Sequence, residues 1–265
     1  MPAPAPADKA KQPLADRTIL VVGAHGGFGE ALARACARAG AQVVLLGRRI
    51  PRLNKLYDAL EADGAREPAI YPLDLAGATP DDYATLASTL ERECGRLDGI
   101  VHCAAEFKGL ASLENMPLDD WFTGMHVNLT APWLLTRACL PLLRQREDAS
   151  LLFLLDDPEQ LSSAFWGSYG VSKHALLGLI AILRDELANS PVRVHGALPG
   201  PMRTALRGRA YFAEDPGSIP LPDAYAKACV ALLAGGADAP NAAIVKLHAE
   251  RSNAPRPLGL STHSN

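Results

Sequence analysis

Residues 18–39 read TILVVGAHGGFGEALARACARA. The apolar run TILVV predicts a short buried strand, and the alanine-rich segment at 30–39 predicts a helix. Between them lies a glycine turn. Such a turn exposes backbone N–H groups, and the following helix N-terminus adds partial positive charge, so the unit predicts a phosphate site. Gly23, Gly27 and Gly29 have the spacing G-x3-G-x-G. One glycine makes the bend, one admits the backbone to a pyrophosphate, and one lets helix and strand pack closely. Gly26 and Phe28 belong to the same turn. So does His25, which would either touch the adenosine phosphate or face solvent.

The next strand, expected over 41–46, chooses between dinucleotides. An acidic residue at its end would bond the ribose 2′-OH of NAD. This chain has Gly47-Arg48-Arg49, and a guanidinium there suits a 2′-phosphate. NADP(H) is therefore the expected cofactor, with NAD as the alternative; the blander reading of Arg48 and Arg49 is a solvated pair at a helix entrance. Asp74 and Leu75 follow a third strand at 69–73. They would lie near the adenine, or Asp74 would cap a helix.

Further strands are expected at 97–103, 151–155, 192–197 and 242–247. Helices are expected at 53–63, 80–94, about 119–146, 168–189 and 223–233. Pro132 and Pro141 should bend or break the long one. The alternation implies a single-domain, doubly wound parallel α/β sheet, Rossmann-like, with helices on both faces. No internal repeat is visible.

The 265 residues are 48% hydrophobic, ample for a core, and the net charge of −3 gives no reason to expect a nucleic-acid or acidic-membrane surface. No apolar run reaches membrane-spanning length. Residues 1–14 (MPAPAPADKAKQPL) lack an apolar signal core and read as a flexible tail. The domain is expected over 15–250, with a polar tail at 251–265. The five cysteines are odd in number and scattered without metal-ligand spacing. Reduced thiols in a cytoplasm fit best, and no metal is expected.

Tyr169-Gly170-Val171-Ser172-Lys173 places a phenol and an ammonium at i and i+4. On a helix they share a face. An adjacent lysine favours phenolate and makes the phenol a better proton donor and acceptor near neutral pH.

From about 16 to 247 the chain resembles the short-chain dehydrogenase/reductase family. The resemblance rests on Gly23, Gly27 and Gly29, on Asp74-Leu75, and on Asn128 in Val127-Asn128-Leu129. It rests further on Tyr169 and Lys173, and on Pro199-Gly200 with Thr204. The family's Asn-Asn-Ala-Gly segment appears here as His102-Cys103-Ala104-Ala105, and the Thr that usually precedes the glycine loop is Val22. Trp166-Gly167-Ser168-Tyr169 and Arg203-Thr204-Ala205 are similar to the YciK-type branch of bacterial oxidoreductases. The resemblance implies hydride transfer between a nicotinamide and a carbonyl or alcohol. Tyr169 would be the acid/base, and Lys173 would lower its pKa and hold the nicotinamide ribose. Asn128 would hold a relay water, and Ala104, Ala105, Pro199, Gly200 and Thr204 would line the cofactor. It also implies a homodimer or homotetramer.

One position departs from the family. A Ser usually stands thirteen residues before the Tyr, and here that residue is Asp156. A carboxylate about 4 Å from a phenolate costs on the order of 4 kcal/mol at an effective dielectric of 20. That is roughly three pKa units, enough to offset much of what Lys173 does. Asp156 could be protonated and donate like the missing Ser. It could be ionised and select a cationic or imine-like substrate. It could leave the site impaired, making the chain a nucleotide-binding sensor or partner-binding protein, or it could point to solvent through misalignment. Too little sequence follows the sixth strand for a nucleotide-sugar epimerase's substrate domain.

The remaining candidates have milder readings. His102 and Cys103 would pack beside the cofactor, and His174 faces away from Lys173. Phe165 and Trp166 would wall a substrate pocket or pack against the loop, and residues 203–222 would cover the pocket.

Overall fold

The computed structural model describes residues 12–236 and 240–249. Seven parallel strands form one sheet in the order β3-β2-β1-β4-β5-β6-β7. They are β1 Thr18–Val22, β2 Gln42–Gly47, β3 Ala69–Pro72, β4 Gly99–His102, β5 Ala149–Leu154, β6 Val192–Leu198 and β7 Ile244–Lys246. The helices are α1 Gly27–Arg38, α2 Ile50–Ala62, α3 Pro80–Cys94, α4 Leu118–Met125, α5 Ala131–Arg144, α6 Pro158–Leu161, α7 Gly167–Glu186, α8 Ala205–Ala210 and α9 Asp223–Ala234. The expected doubly wound α/β architecture is the one observed.

Strand side chains alternate between two cores, as a period of two requires. Leu20, Val22, Val44, Leu46, Ile100 and Leu151 pack with α3, α5 and α7. Ile19, Val21, Val43, Leu45, Val101 and Leu152 pack with α1, α2 and α9. Both faces of β1 and β4 are buried, which explains their unbroken apolar runs. The chain progresses outward in opposite directions from β1 and β4. Their carboxyl ends therefore flank the crevice where an open α/β sheet binds ligands.

Buried charge pins the opposite end of β1. Asp98, 2% exposed, accepts from the Thr18 backbone N–H at 2.8 Å and from Arg96 at 2.6 and 2.8 Å. Asp98→Ala leaves a buried N–H without a partner. The expected loss is about 3 kcal/mol of unfolding free energy, readable by urea titration. A change under about 0.5 kcal/mol would contradict that role.

Several boundaries move for physical reasons. Helix α1 starts at Gly27 rather than 30, because Gly26 is its N-cap and its carbonyl accepts from Glu30 N–H at 2.8 Å. Pro132 does not end the long helix. It stands in the first turn of α5, directly after a π-helical turn over His126–Thr130. Proline has no N–H to offer the carbonyl of Asn128, four residues back, and the wider turn absorbs the mismatch. α5 also runs through Pro141, close to its end. The tail expected over 1–14 is shorter on its described side. Leu14 is fully buried, and its N–H bonds Ala39 O at 2.9 Å. Residues 1–11 of that segment, and 250–265, lie outside the described residues.

Candidate active site

A cleft of roughly 320 Å³ opens at the carboxyl ends of the strands. Its floor is the turn from β1 into α1, where Gly23, His25, Gly26, Gly27, Phe28 and Gly29 line the space. Gly23 has φ +85°, and a Cβ there would meet Ala104 N at 2.7 Å. Only glycine fits that approach of β1 to the segment after β4. A Cβ on Gly29 would run into the Gly23 carbonyl.

Arg48 and Arg49, at the end of β2, line one side with Asp74 and Leu75. Arg48 stands 3.7 Å from Asp74 and 3.7 Å from Glu106. Arg52, one turn further along α2, joins them. The i, i+3 spacing from Arg49 was the available signal for it. His25 Nδ1 is buried without a hydrogen-bond partner. Burial lowers the His25 pKa, and Arg49, Arg48 and Arg52 lower it further.

Ala104, Ala105, Pro199, Gly200 and Thr204 line the far half with Asp156, Tyr169 and Lys173. Of the nineteen loop, acid/base and cofactor positions expected from the sequence, only Asn128 is not at the cleft surface. It is 1% exposed. Its Oδ1 accepts from Glu106 N at 2.7 Å, and its Nδ2 donates to Glu106 O at 3.0 Å and to Ser172 Oγ at 3.1 Å. Both amide hydrogens are spent within the protein. The side chain clamps the Glu106 backbone rather than reaching toward Lys173.

Tyr169 stands in the first turn of α7, 4% exposed, against Phe107 and Trp166. Tyr169 Oη donates to Asp156 Oδ2 at 3.1 Å. The backbone N–H of Asp157 donates to Asp156 Oδ1 at 2.9 Å. Both oxygens of Asp156 therefore accept a hydrogen bond. Lys173 Nζ donates to Leu154 O at 2.7 Å and sits 5.7 Å from the Tyr169 ring centre.

These contacts correct the expected electrostatics. Burial raises the Tyr169 pKa well above the usual tyrosine value, and the charge and hydrogen bond of Asp156 raise it further. Burial pushes Lys173 down to about 8, against the opposing pull of Asp156 and Cys103. Desolvation outweighs the pairing that i, i+4 spacing suggested, so Tyr169 is held as a phenol.

The neighbours settle into structural roles. His102 stacks on Phe153 with ring centres 4.7 Å apart, and its Nε2 is 3.0 Å from Thr136 Oγ1. Burial brings its pKa down to about 3. Cys103 lines the cleft, its thiol raised to about 12 by burial. His174 bonds Gly170 O and Ser162 Oγ. Trp166 packs on Tyr169, whereas Phe165 is 56% exposed, so only the first helps wall this region. From the expected cover, Thr204, Ala205, Leu206, Arg207 and Arg209 line the cleft, with Met202 just ahead of it. Glu106 and Phe107, which sit in no sequence motif, line it too. Among the described residues no cluster of His, Cys, Asp or Glu could hold a metal ion, and no helix is long and apolar enough to cross a membrane.

A dinucleotide-type sheet with a Tyr and a Lys on α7 facing its switch-point crevice defines a class of oxidoreductase. The short chain dehydrogenase profile matches residues 17–214, and the chain belongs to that family. The uncharacterized oxidoreductase YciK of Escherichia coli K12 is 35% identical over 209 residues, covering 79% of this chain and 82% of YciK. A solved structure of yciK from E. coli superimposes with TM-score 0.84 at 32% identity, covering 89% of this chain and 96% of that one. The NADP complex of a candidate short chain dehydrogenase from Shigella flexneri 2a strain 301 gives TM-score 0.84 at 32% identity, over 89% of this chain and 98% of the other.

Proposed function

We propose that this chain is an NADP(H)-dependent short-chain oxidoreductase in which Tyr169 is the proton-transferring residue. The observation that carries the reading is the position of Tyr169. It is a buried phenol at the inner end of a glycine-floored cleft whose outer end carries three arginines. The NADP and NADPH complexes of two similar structures support the cofactor.

The residues present fit that group. Gly23 and Gly29 let the turn from β1 into α1 close tightly, because a Cβ at either would collide with the chain's own backbone. The N-terminus of α1 suits a pyrophosphate. Arg49 and Arg52 form no ion pair among the described residues, and the buried Nδ1 of His25 beside them has no partner. Arg48, Arg49 and His25 would hold the 2′-phosphate side; Asp74 and Leu75 would lie against the adenine. Lys173, Thr204, Pro199, Gly200, Ala104 and Ala105 would hold the nicotinamide end. When bound, the cofactor supplies or accepts hydride.

The protein's own work is proton placement. A substrate oxygen must displace Asp156 as the acceptor of the Tyr169 hydroxyl. Tyr169 then gives up its proton as the carbonyl oxygen becomes an alcohol. Asn128 is a positioning residue, fixing Glu106 through both of its backbone groups. The fold's capacity to bind nucleotide without turnover is the competing reading, and activity tests separate the two. Wild type should oxidise NADPH with at least one member of a panel of aldehydes, ketones and imines. Binding of NADPH with no turnover on any of them would favour the sensor reading.

A pH test follows from Lys173. It faces Asp156, Cys103, Tyr169, His102 and the Leu154 carbonyl. Below about pH 8 it carries its proton, and above that it is neutral. Because Asp156 raises its pKa, Asp156→Asn should move proton loss to lower pH. NADPH affinity, followed by fluorescence quenching, should weaken as pH rises through the Lys173 pKa, and should do so earlier in the variant. Coincident profiles would contradict this coupling.

A further inference from the structure

We infer that Asp156 makes this a site for a protonated carbon–nitrogen double bond, an iminium, and for the ammonium product of its reduction. The inference rests on the hydride-transfer part of the oxidoreductase reading above and names its substrate class; for that class Tyr169 positions Asp156 and transfers no proton.

Asp156 has no cation bonded to it, although Lys173 and Arg207 lie within its electrostatic reach. Asp156 borders the cleft half-buried, and no Lys or Arg forms an ion pair with it among the described residues. The two nearby cations are committed elsewhere. Arg207 makes a two-pronged pair with Glu214 at 2.6 and 2.7 Å, and Lys173 donates to the Leu154 carbonyl at 2.7 Å. The protein partners of Asp156 are neutral donors, the Tyr169 hydroxyl and the Asp157 N–H. A partly desolvated carboxylate with neutral partners is completed by a cation.

Its surroundings suit one. Phe107 and Tyr169 line the cleft with Asp156, their ring centres 5.2 Å apart, and Trp166 packs on both. Aromatic faces favour cations. For a ketone the arrangement is poor, because oxyanion and phenolate would both develop next to the carboxylate. An iminium brings its own proton and loses positive charge as it reacts. Its carbon takes a hydride, two electrons, from reduced nicotinamide, which is oxidised. The C=N π pair becomes the nitrogen lone pair, and that nitrogen then takes a solvent proton to give the ammonium. Tyr169 keeps its proton throughout and fixes Asp156 by the 3.1 Å bond.

The experiment has two arms. In the binding arm, tetrahydroisoquinolinium is titrated by calorimetry into the NADP-loaded protein. Wild type should bind it on the order of 10- to 100-fold more tightly than Asp156→Asn, the range for losing a charge-assisted hydrogen bond. NADPH quenching by the variant shows that it is folded. Equal affinities, or no binding to wild type, would overturn the inference. In the turnover arm, dihydroisoquinoline and tetralone are compared for wild type and Asp156→Ser. The imine should be preferred by wild type and the ketone by Asp156→Ser. A ketone preference in wild type overturns the inference and leaves the oxidoreductase reading standing. Asp156-dependent ammonium binding with no turnover by either protein sinks the oxidoreductase reading and leaves the cation site.

Discussion

Tyr169→Phe should lower kcat for carbonyl reduction by roughly 100- to 10,000-fold, the usual worth of a positioned general acid. The change removes one oxygen and little else. The ring remains packed on Phe107, whose centre is 5.2 Å away, and on Trp166 at 5.9 Å. Folding and NADPH affinity should therefore stay near wild type. The same substitution frees Asp156 Oδ2 from its 3.1 Å bond. A drop in kcat with unchanged NADPH affinity separates loss of the proton donor from loss of the cofactor site. An unchanged kcat would show that some other group moves the proton. For an iminium substrate, which needs no proton from Tyr169, the loss should be much smaller.

The second large effect concerns Arg48 and Arg49. Replacing both with Ala should raise the Kd for NADPH by roughly 100-fold or more, since charge-assisted bonds to a phosphate are worth about 1.5–3 kcal/mol each. NADH affinity should change by less than about threefold, because NADH has no group for these arginines to hold. The existing pairs of Arg48 do not prevent that role. They are 3.7 Å long and made by a side chain 42% exposed, so they contribute little to stability. Competitive fluorescence titration with both cofactors reads the result. Parallel losses for NADPH and NADH would mean that the pair shapes the cleft and does not select the phosphate.

The fold was legible because both of its periods are written plainly. Apolar runs such as 18–22 and 151–154 can only be strands covered on two faces, and the glycine turn announces the first crossover. The π turn at His126–Thr130 was not legible. It depends on how a missing N–H at Pro132 is absorbed, and a proline in a helical pattern predicts a break just as well. In the site, spacing left Asp156 either beside Tyr169 or pointing to solvent, and the structure brings the two to 3.1 Å. Spacing could not give the sign of the Tyr169 shift. Proximity of Lys173 argues one way and burial the other, and burial belongs to the folded protein. Glu106 was missed because its place depends on Asn128, 22 residues later in the chain, gripping its backbone.

The most direct test of the whole account is deuterium transfer from NADPH labelled at its transferable nicotinamide position. Purified protein is incubated with the imine and carbonyl panel, and the products are analysed by mass spectrometry. The account predicts a reduced product carrying one deuterium at the former C=N or C=O carbon. It also predicts far less labelled alcohol with Tyr169→Phe. Tight NADPH binding with no labelled product from any compound would contradict it.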